Sequence, residues 1–256
     1  MEPFNFKQFK VYQDFSAMRV NTDAVLLAAW VNCNFNCQEL NVLDIGTGTG
    51  VISLMAAQRF NQLNKPANIT AVEIDSAACQ DAEKNFKNAP WQGINFSLYN
   101  TSIQDFSQNT QQKYNLILSN PPFFIFSLKS PDKNKTTARH ADTLPQSNFI
   151  NCTLNLIENG GRLALVLPIA EGKEFLRKID FIKQISAKEG SNALILRRLC
   201  SVKTTTDKNP KRYLMEFEYA NANDNSPYIE QEIAIMQQGK YTLKYISLVK
   251  EFLLNF

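Results

Sequence analysis

Val42-Leu43-Asp44-Ile45-Gly46-Thr47-Gly48-Thr49-Gly50 decides the fold. A short strand-forming run enters a turn with glycine at every second position, and residues 51–60 continue with helical character. Outward from this unit the alternation repeats. Residues 69–74 read as a strand, and 76–88 as a helix that stops before Pro90. Residues 94–99 and 116–119 read as strands. Residues 146–157 read as a helix, with Phe149, Ile150, Leu154 and Ile157 near helical spacing, stopped by Gly160-Gly161. A strand at 162–168 and a helix at 171–189, closed by Gly190, follow. Residues 194–202 and 213–219 are strands around a polar loop at 203–212, and 241–254 is a closing helix.

Strands alternating with helices predict βαβ units and a mostly parallel sheet with helices on both faces. The last two strands have no helix between them, so an antiparallel hairpin is expected at the sheet's end. The first 40 residues contain one strong helix, 22–30, capped by Asn21 or Thr22. They are expected over the C-terminal edge of the sheet, where such folds bind ligands. The domain reading is one unit, 1–256, with 1–40 as a covering segment on a core of 41–256.

Composition narrows the class. A hydrophobic content of 44% excludes a disordered chain. The longest apolar run, 24–31, is eight residues against the about 20 that a bilayer needs, so no membrane partner is expected. The N-terminus shows no apolar signal region. Five cysteines, odd and sparse, fit a reducing cytoplasmic setting. Cys33 and Cys37 lack matching histidines, so no metal is expected. Residues 1–128 carry 8 basic and 10 acidic side chains and residues 129–256 carry 19 and 14, which fits a polyanion meeting the later segments.

The glycine turn with a following helix N-terminus makes a nucleotide-cofactor site. It fails the dinucleotide spacing, because Val51 and Ser53 stand where the last glycine is needed, and it lacks the lysine of a phosphate loop. Asp44, just before Gly46, disfavours a pyrophosphate and suits a cationic ligand. S-adenosylmethionine is such a ligand, with a sulfonium, an ammonium and no phosphate. Glu73, 23 residues after Gly50, ends the next strand, where a carboxylate accepts ribose hydroxyls. Ile74 adjoins it.

Residues 116–119 run into Asn120-Pro121-Pro122-Phe123. Two prolines fix the backbone and remove two donors. This stiff corner suits a planar ligand bearing an NH₂ group. The Asn120 side-chain carbonyl and the Pro121 backbone carbonyl would each accept one N–H, and Phe123 would stack on the ring. Holding both hydrogens favours a pyramidal nitrogen as it attacks a methyl, so no prior general base is required.

These two motifs resemble the class I amino-methyltransferases that use S-adenosylmethionine. The stretch from Phe6-Lys7-Gln8-Phe9-Lys10-Val11 through Ser16-Ala17-Met18-Arg19-Val20-Asn21-Thr22-Asp23 to Trp30 is more specific, as are Pro210-Lys211-Arg212-Tyr213 and Gly239-Lys240-Tyr241-Thr242. They resemble the bacterial tRNA1(Val) adenine-37 N6-methyltransferase family. The resemblance implies a Rossmann-like, seven-stranded, mostly parallel sheet with an antiparallel last strand. It implies methylation of adenine N6 in the anticodon loop of a tRNA partner. Asp44, Gly46, Gly48 and Gly50 would cradle the cofactor, Glu73 and Ile74 would hold its ribose end, and Thr22 and Asp23 would lie near its methionine end. Asn120 would serve cofactor and catalysis, with Pro121, Pro122 and Phe123. The family's acidic residue after the third strand is represented here by Ser102 or Asp105, and its glycine before Thr-Asp by Asn21.

Two basic groups are expected to meet RNA phosphates. One is Lys129, Lys133, Lys135 and Arg139; the other is Arg197, Arg198, Lys203, Lys208, Lys211 and Arg212. His140, the only histidine, is read as support for the first loop. Rival readings are methylation of a guanine N2 or a protein glutamine, a non-catalytic activator subunit, and a nicotinamide oxidoreductase. The failed dinucleotide spacing disfavours the last. A monomer is expected, with a homodimer as the alternative.

Overall fold

The computed structural model describes residues 2–121 and 144–256. In chain order the elements are β1 (Phe4–Asn5), β2 (Lys10–Val11), α1 (Thr22–Trp30), β3 (Leu40–Ile45), α2 (Val51–Gln62), β4 (Ala67–Glu73), α3 (Ser76–Lys87), β5 (Ile94–Asn100), α4 (Ile103–Asn109), β6 (Tyr114–Ser119), α5 (Gln146–Leu156), β7 (Ile157–Pro168), α6 (Ile169–Glu189), β8 (Asn192–Thr205), β9 (Arg212–Asn221), β10 (Ile229–Gln237), β11 (Lys240–Tyr241) and α7 (Leu243–Val249).

Nine strands form the main sheet in the order β11-β10-β8-β9-β7-β6-β3-β4-β5. The pairs are parallel except those of β9 with β7 and β8, and of β11 with β10. Seven of these strands, β5 to β8 in that order, make the Rossmann-like sheet with a reversed last strand. The central strands β3 and β6 are buried along nearly their whole length because both faces are covered. Leu116 and Leu118 of β6 face α1, α2 and α7 in one core, whereas Ile117 faces α4, α5 and α6 in the other.

The closing helix spans only Leu243–Val249, not 241–254, since Tyr241 belongs to β11, and four other expectations change. The β8–β9 pair is antiparallel as read, but it does not end the sheet, since β10 and β11 extend it. Only Ile233 of β10 is buried, too thin an apolar pattern to read as a strand. Helix α4 is not among the expected elements; it is about two turns long and capped by Ser102. Strand β7 starts at Ile157, ahead of the glycine pair, and absorbs it as an irregularity between Tyr114 and Leu116 of the partner strand. Finally, α1 does not lie over the C-terminal edge. Ala24–Trp30 are all buried, and the helix packs on the sheet face against α2, β7 and α7. A helix apolar all round has to be enclosed. Only its first residues and the segment before it reach the edge, where Asp23 meets Arg212.

Candidate active site

The strands β3 and β6 are direct neighbours, with Ile45 opposite Ser119, and Ser119 Oγ donates to the Ile45 carbonyl at 2.8 Å. This brings the glycine turn after β3 and the Asn120 corner after β6 to one cleft at the C-terminal edge. The cleft is about 590 Å³, within the usual range of small-ligand sites. Of the residues singled out from sequence, Gly46, Gly48, Glu73, Ile74, Ser102, Asn120 and Pro121 line it.

Gly46 and Gly48 have φ of +70° and +56°, and a Cβ on either would meet nothing within 4 Å. Their backbone is therefore open to an approaching ligand. Gly50 differs. At φ +80°, its missing Cβ would lie 2.6 Å from the Phe86 ring, so it serves close packing of the turn on α3 and not the cleft. Glu73 faces the turn: its carboxylate accepts from Gly48 N and Asp75 N, both at 2.9 Å. Asn100 Nδ2 holds the same corner through the carbonyls of Glu73 and Ile74. Ile74 is 71% exposed, an apolar side chain presented to the cleft.

Asp44 is not a cleft residue. It is fully buried beneath the turn, where Oδ2 accepts from Thr47 Oγ1 and Ser53 Oγ, both at 2.7 Å. Its Oδ1 has no partner. Burial raises its pKa to about 6 against those hydrogen bonds. Its carboxylate faces the start of α2, where the helix dipole favours negative charge. Asp44 thus fixes the turn rather than touching what the turn holds.

Ser102 caps α4 by accepting from Asp105 N at 3.0 Å and donates to Asp105 Oδ2 at 2.7 Å. Ser102 is on the wall, and Asp105 stands behind it. Asn120 Nδ2 lies 3.5 Å from Asn21 Oδ1, which itself caps α1 by accepting from Ala24 N at 3.0 Å. With the amide NH₂ turned to Asn21, the Asn120 carbonyl oxygen is left for a ligand.

Sequence reading missed how the opposite wall is held. Ser16, Ala17 and Met18 line the cleft. Their segment is tied down by Asp81 of α3, fully buried, whose carboxylate accepts from Asp14 N, Phe15 N and Ser16 N at 3.0, 2.9 and 2.7 Å. One helical turn on, Asn85 exchanges hydrogen bonds with Tyr12 N and O and also donates to the Thr49 carbonyl. The spacing of four places both on one face of α3, but nothing in a polar helix pair announces such partners.

Other expected site residues lie elsewhere. Thr22 is exposed and outside the cleft. Asp23 accepts from Arg212 Nε at 2.7 Å, so a residue expected at the cofactor and one expected at RNA bind each other. Arg197 is held by Glu218 and Asp224 at 2.7 and 2.6 Å. Arg198 bonds Glu216 at 3.1 Å, donates to the Trp30 carbonyl and stacks on the Trp30 ring at 4.0 Å. These arginines secure the fold because each found a carboxylate across a strand pair. Lys203 pairs with Glu232 at 2.9 Å. Lys211 is exposed. Pro122, Phe123, Lys129, Lys133, Lys135, Arg139 and His140 lie outside the described residues. Among the described residues no group of three His, Cys, Asp or Glu is placed to hold a metal ion, and no helix is long and apolar enough to cross a membrane.

Comparison with known proteins adds to this geometry. The family description "Methyltransferase small domain" matches residues 10–185. The chain is 39% identical over 256 residues to the tRNA1(Val) (adenine(37)-N6)-methyltransferase of Pseudoalteromonas translucida, covering 100% of both. It is 35% identical to the protein of that name from Mannheimia succiniciproducens, over 99% of this chain and 95% of that protein. Among solved structures it resembles an Agrobacterium tumefaciens protein described as a predicted O-methyltransferase, with TM-score 0.62 and 14% identity over 90% of this chain and 96% of that one. It also resembles the methyltransferase subunit of a type I restriction-modification system from Streptococcus thermophilus, with TM-score 0.58 and 16% identity over 92% of this chain and 52% of that one. At such identities the structural likeness speaks for the fold alone.

Proposed function

The chain belongs to the tRNA1(Val) (adenine(37)-N6)-methyltransferase family, and from that premise we propose that it methylates the exocyclic N6 of adenine 37 in tRNA1(Val), with S-adenosylmethionine as donor. The observation that carries the reading is the meeting of the glycine turn and the Asn120-Pro121 corner in one cleft, across adjacent strands.

The cleft fits the donor. Gly46 and Gly48 leave their Cβ space open, the Glu73 carboxylate is an acceptor for ribose hydroxyls, Ile74 offers an apolar surface to a ring, and Ser102 is a polar group beside it. When bound, S-adenosylmethionine supplies an electrophilic methyl on sulfur. The protein's own part is orientation. Asn120 Oδ1 and the Pro121 carbonyl take the two N6 hydrogens, drawing the nitrogen lone pair out of the adenine ring and toward the methyl. Attack by that nitrogen on the bound donor's methyl would leave the bonding electrons with sulfur, and the extra proton would pass from the nitrogen to solvent afterwards. Positioning and fixed dipoles supply the acceleration. An anticodon-loop base is cheap to extrude because it is unpaired. Such a substrate belongs to the cytoplasm.

The test is nucleoside mass spectrometry of an unmodified tRNA1(Val) transcript incubated with the protein and S-adenosylmethionine. N6-methyladenosine is expected, and it is expected to vanish when adenine 37 is replaced by guanine. Asn120→Ala is expected to lower kcat about 100-fold or more while cofactor affinity stays within a few-fold. Methylation at another base, or full turnover by Asn120→Ala, overturns the reading.

A further inference from the structure

The added strands β10 and β11 carry a cationic rim. Strand β8 ends at Thr205, opposite Met236 of β10, and Thr206 N donates to the Met236 carbonyl. The loop from there turns over the strand ends and returns at Lys211, whose N donates to the Val202 carbonyl. Beside it, β10 and β11 meet in a tight hairpin. Gln238 and Gly239 both have positive φ, and Lys240 pairs with Gln237. Lys208, Lys211 and Lys240 are therefore brought to one corner, and each is exposed. Among the described residues no ion pair engages any of the three. This contrasts with Arg197, Arg198, Lys203 and Arg212, which are all held by carboxylates.

The corner lies on the same C-terminal edge as the cleft. Four strand steps separate β6 from β10, about 20 Å at the usual spacing. A folded RNA hairpin covers that reach, and a single nucleotide does not.

We infer that Lys208, Lys211 and Lys240 form a phosphate-binding rim that docks the tRNA backbone while its target base occupies the cleft. This rests on the function proposed above and goes beyond it by assigning the docking surface to the β8–β9 loop and the β10–β11 hairpin. Phosphate contacts of this kind set position and affinity without reading sequence.

The test is the triple charge reversal K208E/K211E/K240E, with K188E as a reversal at the C-terminal end of α6, toward the opposite edge of the sheet. Binding of unmodified tRNA1(Val) transcript is measured across a salt series, alongside cofactor binding and methyl transfer. The triple variant is expected to bind tRNA at least tenfold more weakly at low salt. Its log–log salt slope is expected to be shallower by about 2, since each lost phosphate contact removes about 0.7–0.9. K188E is expected to change tRNA affinity less than twofold. A triple variant with wild-type affinity and slope overturns the rim while leaving the methyltransferase reading standing. So does an equal loss in K188E, which would make the effect one of net charge. Wild-type protein that binds the cofactor but neither binds nor methylates tRNA overturns both.

Discussion

Each wall of the cleft hangs on one fully buried aspartate, Asp44 beneath the glycine turn and Asp81 beneath the N-terminal segment. Their partners differ in sequence distance. Asp44 holds Thr47 and Ser53, three and nine residues away. Asp81 holds three backbone N–H groups 65 to 67 residues away. The aspartate of the first wall acts within one strand–turn–helix unit, although Glu73, Asn85 and Phe86 also brace that turn. The second exists only once α3 and the N-terminal segment have met. The same side chain therefore does similar work in two places, and only one of them leaves a mark in the sequence.

Breaking the local wall is expected to have the largest effect. Gly50→Val forces a β-branched residue to φ +80° and drives a Cβ into Phe86. Together these are expected to cost about 4 kcal/mol, read as a fall in urea midpoint with loss of cofactor binding. Wild-type stability in that variant would mean that the turn packs differently.

The charge on Asp44 sharpens the comparison. Its folded pKa, about 6, is raised above the ordinary aspartate value of 3.8. Its contribution to stability is thus complete below about pH 4 and is lost as pH rises through 6. Asp44→Asn removes this dependence. Between pH 4 and 7, stability of the variant relative to wild type is expected to shift in the variant's favour by up to about 3 kcal/mol. Denaturant titrations at several pH values check it; parallel curves would show that the carboxylate does not carry the charge penalty assigned to it.

The smallest effect is expected at the long-range wall. Asp81→Asn keeps the shape but removes the charge that three amides share, at about 1–2 kcal/mol. Amide exchange at Asp14, Phe15 and Ser16 is expected to quicken, and the KM for S-adenosylmethionine to rise about tenfold, with little change at the glycine turn. Unaltered exchange at those three amides would place the hold on the segment elsewhere.

Legibility follows the same division. The alternating elements, the glycine turn, Glu73, Ile74 and the Asn120-Pro121 corner are visible in sequence because each is written in contiguous residues with a backbone reason for its type. Gly50 and Asp44 are visible as parts of the motif, yet their work, packing on Phe86 and anchoring the start of α2, is not. Arg197, Arg198 and Arg212 read as free cations because their carboxylates come from other strands or from α1. Strand β10 was illegible because an outer strand with one buried residue has almost no period-two signal.

The sequence by itself determined the alternating core of strands and helices from β3 to β9, the parallel sheet and the placement of a glycine turn and a proline-stiffened corner at strand ends, since these follow from local backbone preference and apolar periodicity. Only the tertiary structure decided which charges are spent inside the fold, which lysines remain on the rim and what closes the second wall. Those outcomes depend on groups far apart in the chain finding each other, and burial, not residue type, selects the pairs.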